Sequence, residues 1–185
     1  MRNQPVILCD VDAVVADLLT AWLWWYNRLY NDTLTTADIT GWDMHPFVKP
    51  ECGKKIYEIL RFPKLYDGVM PIHGARYSIK ALRREGYRVV FVTSCVAGTT
   101  DAKIEWLMQH KFLPRVRTPE DFIAAKDKSL VKGAILIDDA IHNVAAYPGH
   151  TILFDQPYNR SYNHYVRAHH WGEVLTLVRA LAPIT

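Results

Sequence analysis

Acidic and hydroxyl side chains that could take part in catalysis or metal binding come directly after apolar segments of this sequence. Three such groups occur, and they are Asp10 with Asp12, Thr93 with Ser94, and Asp138 with Asp139. A single aspartate behind an apolar segment is usually a turn former or a helix cap. Three groups in the same relative position are harder to explain by turn chemistry, and they indicate one shared site.

The arrangement of these groups becomes informative if the apolar segments are neighbouring strands of a parallel sheet. The carboxyl ends of such strands meet at one edge, where α/β proteins bind their ligands. Up to four carboxylates would then share one crevice and repel each other, unless a divalent cation or raised pKa values compensate for their charge. Hard oxygen ligands with an open face suit Mg²⁺. The sequence therefore predicts a magnesium site at this edge.

The pattern of apolar residues predicts the sheet that this arrangement requires. Four short apolar segments are typical of strands buried on both faces. They span residues 6–9, 88–92, 134–137 and 151–154. Apolar residues at helical spacing occupy 15–29, 75–85, 99–108 and 171–181. Gly86 stands where a left-handed helix cap is expected. This alternation predicts an α/β fold with a doubly wound parallel sheet.

The segment that follows the first strand does not show this alternation. Residues 33–71 are rich in aromatic and turn-forming residues, with one helical candidate at 54–61 and no strand-like segment. We therefore expect residues 18–70 to form a small helical cap inserted after the first strand. Residues 1–17 and 71–185 then form the core domain. Trp24 lies off the apolar face of the first helix, so we expect it to be exposed or at an interface.

Composition and charge limit the classes of protein to which this chain can belong. Its 185 residues are 50% apolar and 22% charged, which is typical of a globular protein that buries about 70% of its surface. The net charge of +3 includes no long basic run, so a nucleic acid polymer is not an expected partner. The three cysteines are widely spaced, which favours a reducing compartment. No segment suits a signal peptide or a membrane span, so we expect a cytoplasmic protein without a membrane partner.

The polar groups, together with a lysine-containing segment, resemble the four motifs of the haloacid dehalogenase superfamily of phosphatases. In motif order the matching segments are 10–17, 93–94, 126–131 and 135–139. Within that superfamily the chain is most similar to the 5'(3')-deoxyribonucleotidases, and this likeness also includes 71–75 and 154–160. The resemblance spans nearly the whole chain, although it is loose in the insert. It implies the Rossmann-like core of that superfamily with a small helical cap.

The resemblance also implies a reaction and a role for each motif residue. Asp10 would be the nucleophile that forms an aspartyl-phosphate, and Asp12 would protonate the leaving oxygen and later deprotonate water. The implied Mg²⁺ site consists of Asp10, the backbone carbonyl of Asp12, Asp139, and Asp138 as a ligand or behind one. The implied phosphate-binding residues are Thr93, Ser94 and Lys128. The expected function is therefore a Mg²⁺-dependent phosphomonoesterase that acts on a small nucleotide substrate, a deoxyribonucleoside monophosphate.

Three positions bear on how closely the chain follows the resembled family. Ala13 stands where that family usually has glycine, and we expect a right-handed or extended backbone that alanine tolerates. Leu18 stands where the resembled enzymes have an aromatic residue against the nucleobase, so the base preference is open. Trp42 lies where their cap contributes an aromatic ring. It could bind substrate by stacking on a base, or it could pack in the core of the cap.

Other functions are compatible with parts of this pattern. A phosphatase for another small phosphate ester would have the same motifs, and so would an inactive phosphate-binding protein of this fold. A signalling receiver domain also combines aspartates, a threonine and a lysine at strand ends, but it has its paired acids first and lacks a long insert. The preference for a 5'- or 3'-phosphate is open. The oligomeric state is open too, a homodimer included.

Overall fold

The computed structural model describes residues 4–62, 64–116 and 119–184, and these form a six-stranded sheet with helices packed around it. The strands are Val6–Cys9 (β1), Arg88–Thr93 (β2), Phe122–Ala124 (β3), Ile135–Asp138 (β4), His150–Phe154 (β5) and Arg167–Ala168 (β6). Their order is β3-β2-β1-β4-β5-β6, and every neighbouring pair is parallel. The α/β fold class with a doubly wound parallel sheet is confirmed.

The central strands are apolar because both faces of the sheet are covered. In the middle of the sheet Leu8 pairs with Val90 on one side and with Leu136 on the other, and all three side chains are buried. Successive residues of a strand point to opposite faces, so Ile7 and Cys9 project into the larger of two apolar cores. Burial on both faces explains why these strands are continuous apolar segments in the sequence.

The two edge strands are absent from the sequence prediction, which finds only the four central ones. Strand β3 has three residues and β6 has two, and neither length is enough to produce a recognisable pattern. Their residues are also less buried than those of the central strands, since Ile123 and Arg167 retain contact with solvent. Short, half-exposed edge strands therefore lack the apolar signal on which the prediction depends.

Five α-helices are present in the described residues, and three of them end close to their predicted bounds. They are Leu18–Tyr30 (α1), Ala75–Glu85 (α2), Thr100–Gln109 (α3), Ile141–Ala146 (α4) and Trp171–Leu181 (α5). Gly86 ends α2 with a φ of 104°, the left-handed cap that the sequence predicts. Helix α4 has only six residues, so it shows no helical period. Within the described ranges, no helix combines the length and apolar character that crossing a membrane requires.

Helix α1 differs from its prediction at its start and in the burial of Leu29. It begins at Leu18 rather than Val15, because the Val15 N–H closes a tight turn by donating to Val11 O at 3.0 Å. Leu29, which lies on the predicted apolar face, is 53% exposed, so this part of the prediction is wrong. Tyr30, in the same last turn, packs against the main apolar core, so Leu29 lies on the solvent side of this turn. Trp24 is exposed, as its position off the apolar face predicts.

The insert, residues 18–70, starts and ends at neighbouring points of the structure. Ala16 forms a β-bridge with Pro71, and the Asp17 N–H donates to Met70 O at 2.8 Å. Besides α1, the described part of the insert contains three 3₁₀ helices, Thr36–Asp38, Gly53–Arg61 and Tyr66–Gly68. Since the chain leaves and rejoins the core at one place, the insert does not interrupt the sheet. Its assignment as a separate cap domain stays a prediction.

Candidate active site

Asp10 lies at the carboxyl end of the central strand β1. Its backbone N–H donates to Ile137 O at 2.9 Å, which extends the pairing of β1 with β4 by one residue. Its side chain is buried together with Asp138 and Asp139 at the end of β4. One carboxylate oxygen of each aspartate lies within 4.8 Å of the other two. The structure thus brings the acids of two separate sequence segments into one cluster.

Three buried carboxylates at this distance repel each other unless positive charge is close. Burial raises the pKa of Asp10, and burial with the charge of Asp138 raises the pKa of Asp139 well above its usual range. Lys128 supplies one charge, since its Nζ lies 2.7 Å from Asp10 Oδ1 and 2.5 Å from Asp138 Oδ2. Burial acts to lower the pKa of Lys128, but these two carboxylates together raise it. When all three carboxylates are ionised, one lysine leaves two negative charges unbalanced, and a divalent cation would offset them.

The chemistry of the cluster also fits a hard divalent cation. Asp10 Oδ1 is buried, and its charged partner among the described residues is Lys128, whose Nζ lies 2.7 Å away. The available ligand atoms are carboxylate oxygens, which hard cations such as Mg²⁺ prefer. Three buried carboxylates within 4.8 Å of one another, with one lysine between two of them, therefore support a cation site here.

Hydrogen bonds from neighbouring residues hold the two carboxylates of β4 in place. Asp138 Oδ1 accepts from the Ala140 N–H at 2.9 Å, and both of its oxygens lie 3.1 Å from Asn143 Nδ2. Asp139 Oδ2 accepts from the Tyr158 hydroxyl at 2.5 Å. Both oxygens of Asp138 therefore have protein donors, whereas one oxygen of Asp139 has no donor among the residues that the structure describes.

The carboxylate of Asp12 belongs to a different set of contacts, so three carboxylates share the cluster instead of four. Lys103 Nζ donates to Asp12 Oδ2 at 2.6 Å, and the Tyr66 hydroxyl donates to Asp12 Oδ1 at 2.5 Å. Lys103 also donates to Thr93 Oγ1 at 3.0 Å and to the backbone carbonyl of Ser94. The predicted phosphate-binding residues Thr93 and Ser94 are thus connected to Asp12 through one buried lysine.

Sequence reasoning does not find Lys103, Tyr66 or Tyr158. The sequence does contain a signal for Lys103, because this lysine lies three and four residues before Trp106 and Leu107. All three residues are on the buried face of α3. A lysine on an apolar helix face needs a buried partner. Tyr66 and Tyr158 come from the insert and from the loop after β5, and only the folded chain brings them to the site.

The backbone at Ala13 contradicts the conformation expected for it. Its φ is 58°, in the left-handed region, and not right-handed or extended. The turn requires this angle because the Ala13 N–H donates to Ala16 O at 2.8 Å while the Ala13 carbonyl accepts from Gln156 Nε2 at 2.7 Å. A left-handed alanine costs about 1–2 kcal/mol. The site therefore tolerates a strained residue where glycine would be relaxed.

A cavity of about 330 Å³ lies over the acidic cluster and below the insert. Its floor contains Asp10, Asp139 and Lys128. Apolar side chains of the insert line the opposite wall, and they include Leu18, Leu19, Ile39, Met44, Leu60 and Leu65. Leu18, the position at which the resembled enzymes have an aromatic residue, thus lines the wall of the cavity. One end of the cavity is anionic and its other wall is apolar.

Trp42 lies at the edge of this cavity and not in the core of the insert. Its side chain is 57% exposed, so packing within the insert, one of the two sequence alternatives, is wrong. The indole ring centre is 5.1 Å from the ring of His142 and 5.6 Å from that of Tyr158, at interplanar angles of 78° and 77°. Trp42 therefore connects the insert to core residues next to the acidic cluster, with neither neighbour stacked parallel on its face.

Comparison with known sequences gives matches over nearly the entire chain. Residues 4–182 match the family described as 5' nucleotidase, deoxy (pyrimidine), cytosolic type C protein. A 5'(3')-deoxyribonucleotidase from Clostridium acetobutylicum is 36% identical over 181 residues, which cover 97% of both chains. A 5'(3')-deoxyribonucleotidase from Bacillus subtilis is 32% identical over 174 residues, 92% of this chain and 96% of that one.

Comparison with solved structures gives the same fold at low sequence identity. A haloacid dehalogenase-like protein of unknown function from Agrobacterium tumefaciens has a TM-score of 0.68 and 11% identity, covering 97% of this chain and all of that one. A haloacid dehalogenase family hydrolase from Deinococcus radiodurans, solved with phosphate and sodium, has a TM-score of 0.61 and 16% identity, covering 100% and 99%. These neighbours support the fold assignment.

Proposed function

Since the chain belongs to the family of deoxy (pyrimidine) cytosolic type C 5' nucleotidases, which are phosphoric monoester hydrolases, we propose that it hydrolyses deoxyribonucleoside monophosphates with Mg²⁺ through an aspartyl-phosphate. The products are the deoxynucleoside and inorganic phosphate. The observation that carries this proposal is the buried cluster of three aspartates and Lys128 below a cavity with an apolar wall. The anionic end suits a metal-bound phosphate, and the apolar wall suits a nucleoside.

Asp10 is the nucleophile in this proposal. One of its carboxylate oxygens forms a bond to phosphorus while the bond between phosphorus and the ester oxygen breaks. Asp12 gives a proton to the leaving oxygen, and the deoxynucleoside departs. Asp12 then takes a proton from a water molecule whose oxygen attacks the phosphorus of the aspartyl-phosphate. This second displacement releases phosphate and restores the Asp10 carboxylate.

Other residues hold the reacting groups in position. Lys103 and Tyr66 donate to the two oxygens of Asp12, so they orient the carboxylate that moves the proton. The phosphoryl oxygens are bound by Lys128, by the Thr93 hydroxyl and by Ser94. The insert acts as a cap that excludes water from the reacting atoms.

The residues that would hold Mg²⁺ are Asp10, the backbone carbonyl of Asp12, and Asp139, with Asp138 as a ligand or behind one. A bound Mg²⁺ would offset the negative charge of the phosphoryl oxygens during transfer. Asn143 and Tyr158 fix the carboxylates of β4, so they would set the orientation of these ligands. Without the cation, the two charges that Lys128 leaves unbalanced would repel an incoming phosphate.

A phosphate-release assay tests this proposal on substrates that share the ester but differ in the rest of the molecule. The panel consists of the 5'- and 3'-monophosphates of deoxynucleosides and ribonucleosides, small sugar phosphates and p-nitrophenyl phosphate, each with Mg²⁺ and with excess EDTA. We expect the highest kcat/KM on deoxynucleotides and no turnover in EDTA. A clear preference for a small ester without a base would indicate another phosphatase of this fold. No release from any compound would indicate a phosphate-binding protein without activity.

A further inference from the structure

Most polar side chains that line the cavity are already hydrogen-bonded to other protein groups. Tyr66, Lys103, Asn143 and Tyr158 bind the aspartates, while Trp22 and Tyr57 bind groups of the insert. Among the described residues of the cavity wall, and apart from the carboxylates of the acidic cluster, three side chains have a hydrogen-bonding group to which no protein partner is directed. They are Ser94, Trp42 and His142. Ser94 already has a proposed partner in the phosphate, and the ring of Trp42 already has a proposed role in stacking on the base.

His142 lies between the acidic cluster and Trp42. It is in the first turn of α4, and its chain neighbour Asn143 is bound to Asp138. Its own ring is 5.1 Å from the Trp42 ring, measured between centres. A phosphate at Asp10 and a base at Trp42 would therefore place the connecting part of the substrate beside the imidazole.

The connecting part of a deoxynucleotide is a sugar with one free hydroxyl group. In a 5'-monophosphate this is the 3'-hydroxyl, because the 2'-hydroxyl is absent. His142 is exposed at the rim of the cavity, and its partial burial, together with the charge of Lys128, lowers its pKa, which favours the neutral imidazole. A neutral imidazole donates with one nitrogen and accepts with the other, and a hydroxyl can serve as partner for either.

We propose that His142 is a substrate-binding residue that hydrogen-bonds the free sugar hydroxyl of the nucleotide. This inference rests on the proposed function, because it takes the substrate to be a deoxynucleoside monophosphate. It adds a contact that depends on the sugar, independent of the phosphate and of the base. The enzyme would consequently discriminate against nucleotides whose sugar lacks this hydroxyl.

The test compares two substrates that differ only in this group, thymidine 5'-monophosphate and 3'-deoxythymidine 5'-monophosphate, in the presence of Mg²⁺. The measured quantity is the ratio of their kcat/KM values. We expect His142→Ala to lower this ratio about 3- to 10-fold, the usual effect of one neutral hydrogen bond. His142→Asn, which keeps a donor and an acceptor, should restore part of the ratio. His150→Ala changes an exposed histidine at the start of β5, outside the cavity, and should keep the wild-type ratio.

The possible outcomes separate this inference from the proposed function. If the wild-type enzyme hydrolyses both nucleotides and His142→Ala leaves the ratio unchanged, the inference is overturned while the proposed function stands. Equal losses of kcat/KM on both substrates also overturn it, because they indicate a role that does not involve the hydroxyl. If the wild-type enzyme cleaves p-nitrophenyl phosphate but neither nucleotide, the proposed function and the inference both fail.

Discussion

At the scale of single residues, the site gives two aspartates that are two positions apart in the chain different surroundings. Asp10 lies beside Lys128 in a buried group of three carboxylates, where burial raises its pKa. Asp12 accepts hydrogen bonds from Lys103 and Tyr66 at a partly exposed position. Lys128 acts against the effect of burial on Asp10 and favours the ionised carboxylate that a nucleophile needs. In our proposal the roles of Asp10 and Asp12 are nucleophile and proton carrier.

The role of Asp10 predicts the result of an isosteric substitution. Asp10→Asn keeps the shape of the side chain but removes the nucleophilic oxygen, so kcat should fall by about 10³-fold or more. Phosphate release from a deoxynucleotide in the presence of Mg²⁺ measures the effect. Asp101→Asn removes a carboxylate from an exposed position in the first turn of α3 and is the matched control. Activity of Asp10→Asn within tenfold of the control would contradict the assignment of the nucleophile.

The positive φ of Ala13 predicts an unusual response to glycine. Ala13→Gly removes about 1–2 kcal/mol of backbone strain and adds about 0.5–1 kcal/mol of unfolded-chain entropy. The free energy of unfolding should therefore stay the same or rise by about 1 kcal/mol. Ala81→Gly, in the regular helix α2, should lose about 1 kcal/mol. Urea unfolding measures both, and equal destabilisation of the two variants would show that Ala13 is not strained.

At the scale of elements, residues 41–45 are a loop that holds Trp42 over the cavity. Asp43 accepts hydrogen bonds from the Tyr57 hydroxyl and from His45, and these lower the pKa of Asp43 to about 2. The Tyr57 hydroxyl also accepts from the Met44 N–H at 2.9 Å. The lowered pKa keeps Asp43 ionised at neutral pH, where it can accept the hydrogen bond from Tyr57. A 3₁₀ helix of the insert thus fixes the loop that presents the indole ring.

The exposed position of Trp42 predicts that its loss affects the substrate more than stability. If the ring stacks on the base, Trp42→Ala should lower kcat/KM for a deoxynucleotide. The loss should correspond to about 1–3 kcal/mol of transition-state stabilisation. The loss on p-nitrophenyl phosphate, which has no base, should be much smaller. Trp24→Ala is the matched control, because Trp24 is 54% exposed, compared with 57% for Trp42, and lies outside the cavity.

The comparison of Trp42→Ala with Trp24→Ala also shows which results would contradict stacking. Removal of a buried tryptophan typically costs about 3–5 kcal/mol of stability, whereas both variants here should melt close to the wild-type temperature. Equal losses of Trp42→Ala on the two substrates, or the same activity profile in both variants, would contradict stacking.

At the scale of the whole molecule, the strand order brings the chemical groups together. Strand β1 lies between β2 and β4, so the carboxyl ends that carry Asp10, Thr93 and Asp138 are adjacent. The connections between these strands pass through the insert and through helices, and the segments they join are far apart in the sequence. The sheet thereby concentrates negative charge at one edge, and this charge couples the stability of the fold to cation binding.

This coupling predicts that Mg²⁺ stabilises the folded protein. At a Mg²⁺ concentration about 100 times its Kd, binding to the native state alone adds about 2.7 kcal/mol, which raises Tm by about 5–10 °C for a chain of this size. Thermal unfolding with and without Mg²⁺ measures the shift. Asp139→Asn should reduce it at the same concentration, and Asp101→Asn should keep it. A Tm that does not respond to Mg²⁺ would argue against a site in this cluster.

The raised pKa values predict the direction in which pH changes this stabilisation. Asp10 and Asp139 have folded pKa values above the unfolded value of about 3.9. Each such group binds protons more tightly when folded, so the stability it contributes is lost as pH rises above the unfolded pKa. Mg²⁺ competes with these protons, and its Tm shift should therefore grow between about pH 5 and pH 8. A shift that shrinks over this interval would contradict the proposed ligands.

The sequence by itself determined the central sheet and the family. The four inner strands are continuous apolar segments because each is buried on both faces, and this property is visible in composition alone. The resemblance of the four motifs to haloacid dehalogenase phosphatases is confirmed by the family match over residues 4–182. The cap of α2 at Gly86 and the exposure of Trp24 were also predicted correctly. Both features depend only on residues that are close in the sequence.

The tertiary structure decided everything that depends on contacts between distant segments. Lys103 reaches Asp12 across 91 positions of the chain, Tyr66 reaches it across 54, and Tyr158 reaches Asp139 across 19. No periodicity or local spacing encodes such pairs, since they form only when the sheet and the insert close over one cavity. The φ of Ala13 was likewise set by hydrogen bonds to Ala16 and to a loop that follows β5. Alanine by itself favours a negative φ, and the hydrogen bonds around Ala13 override this preference.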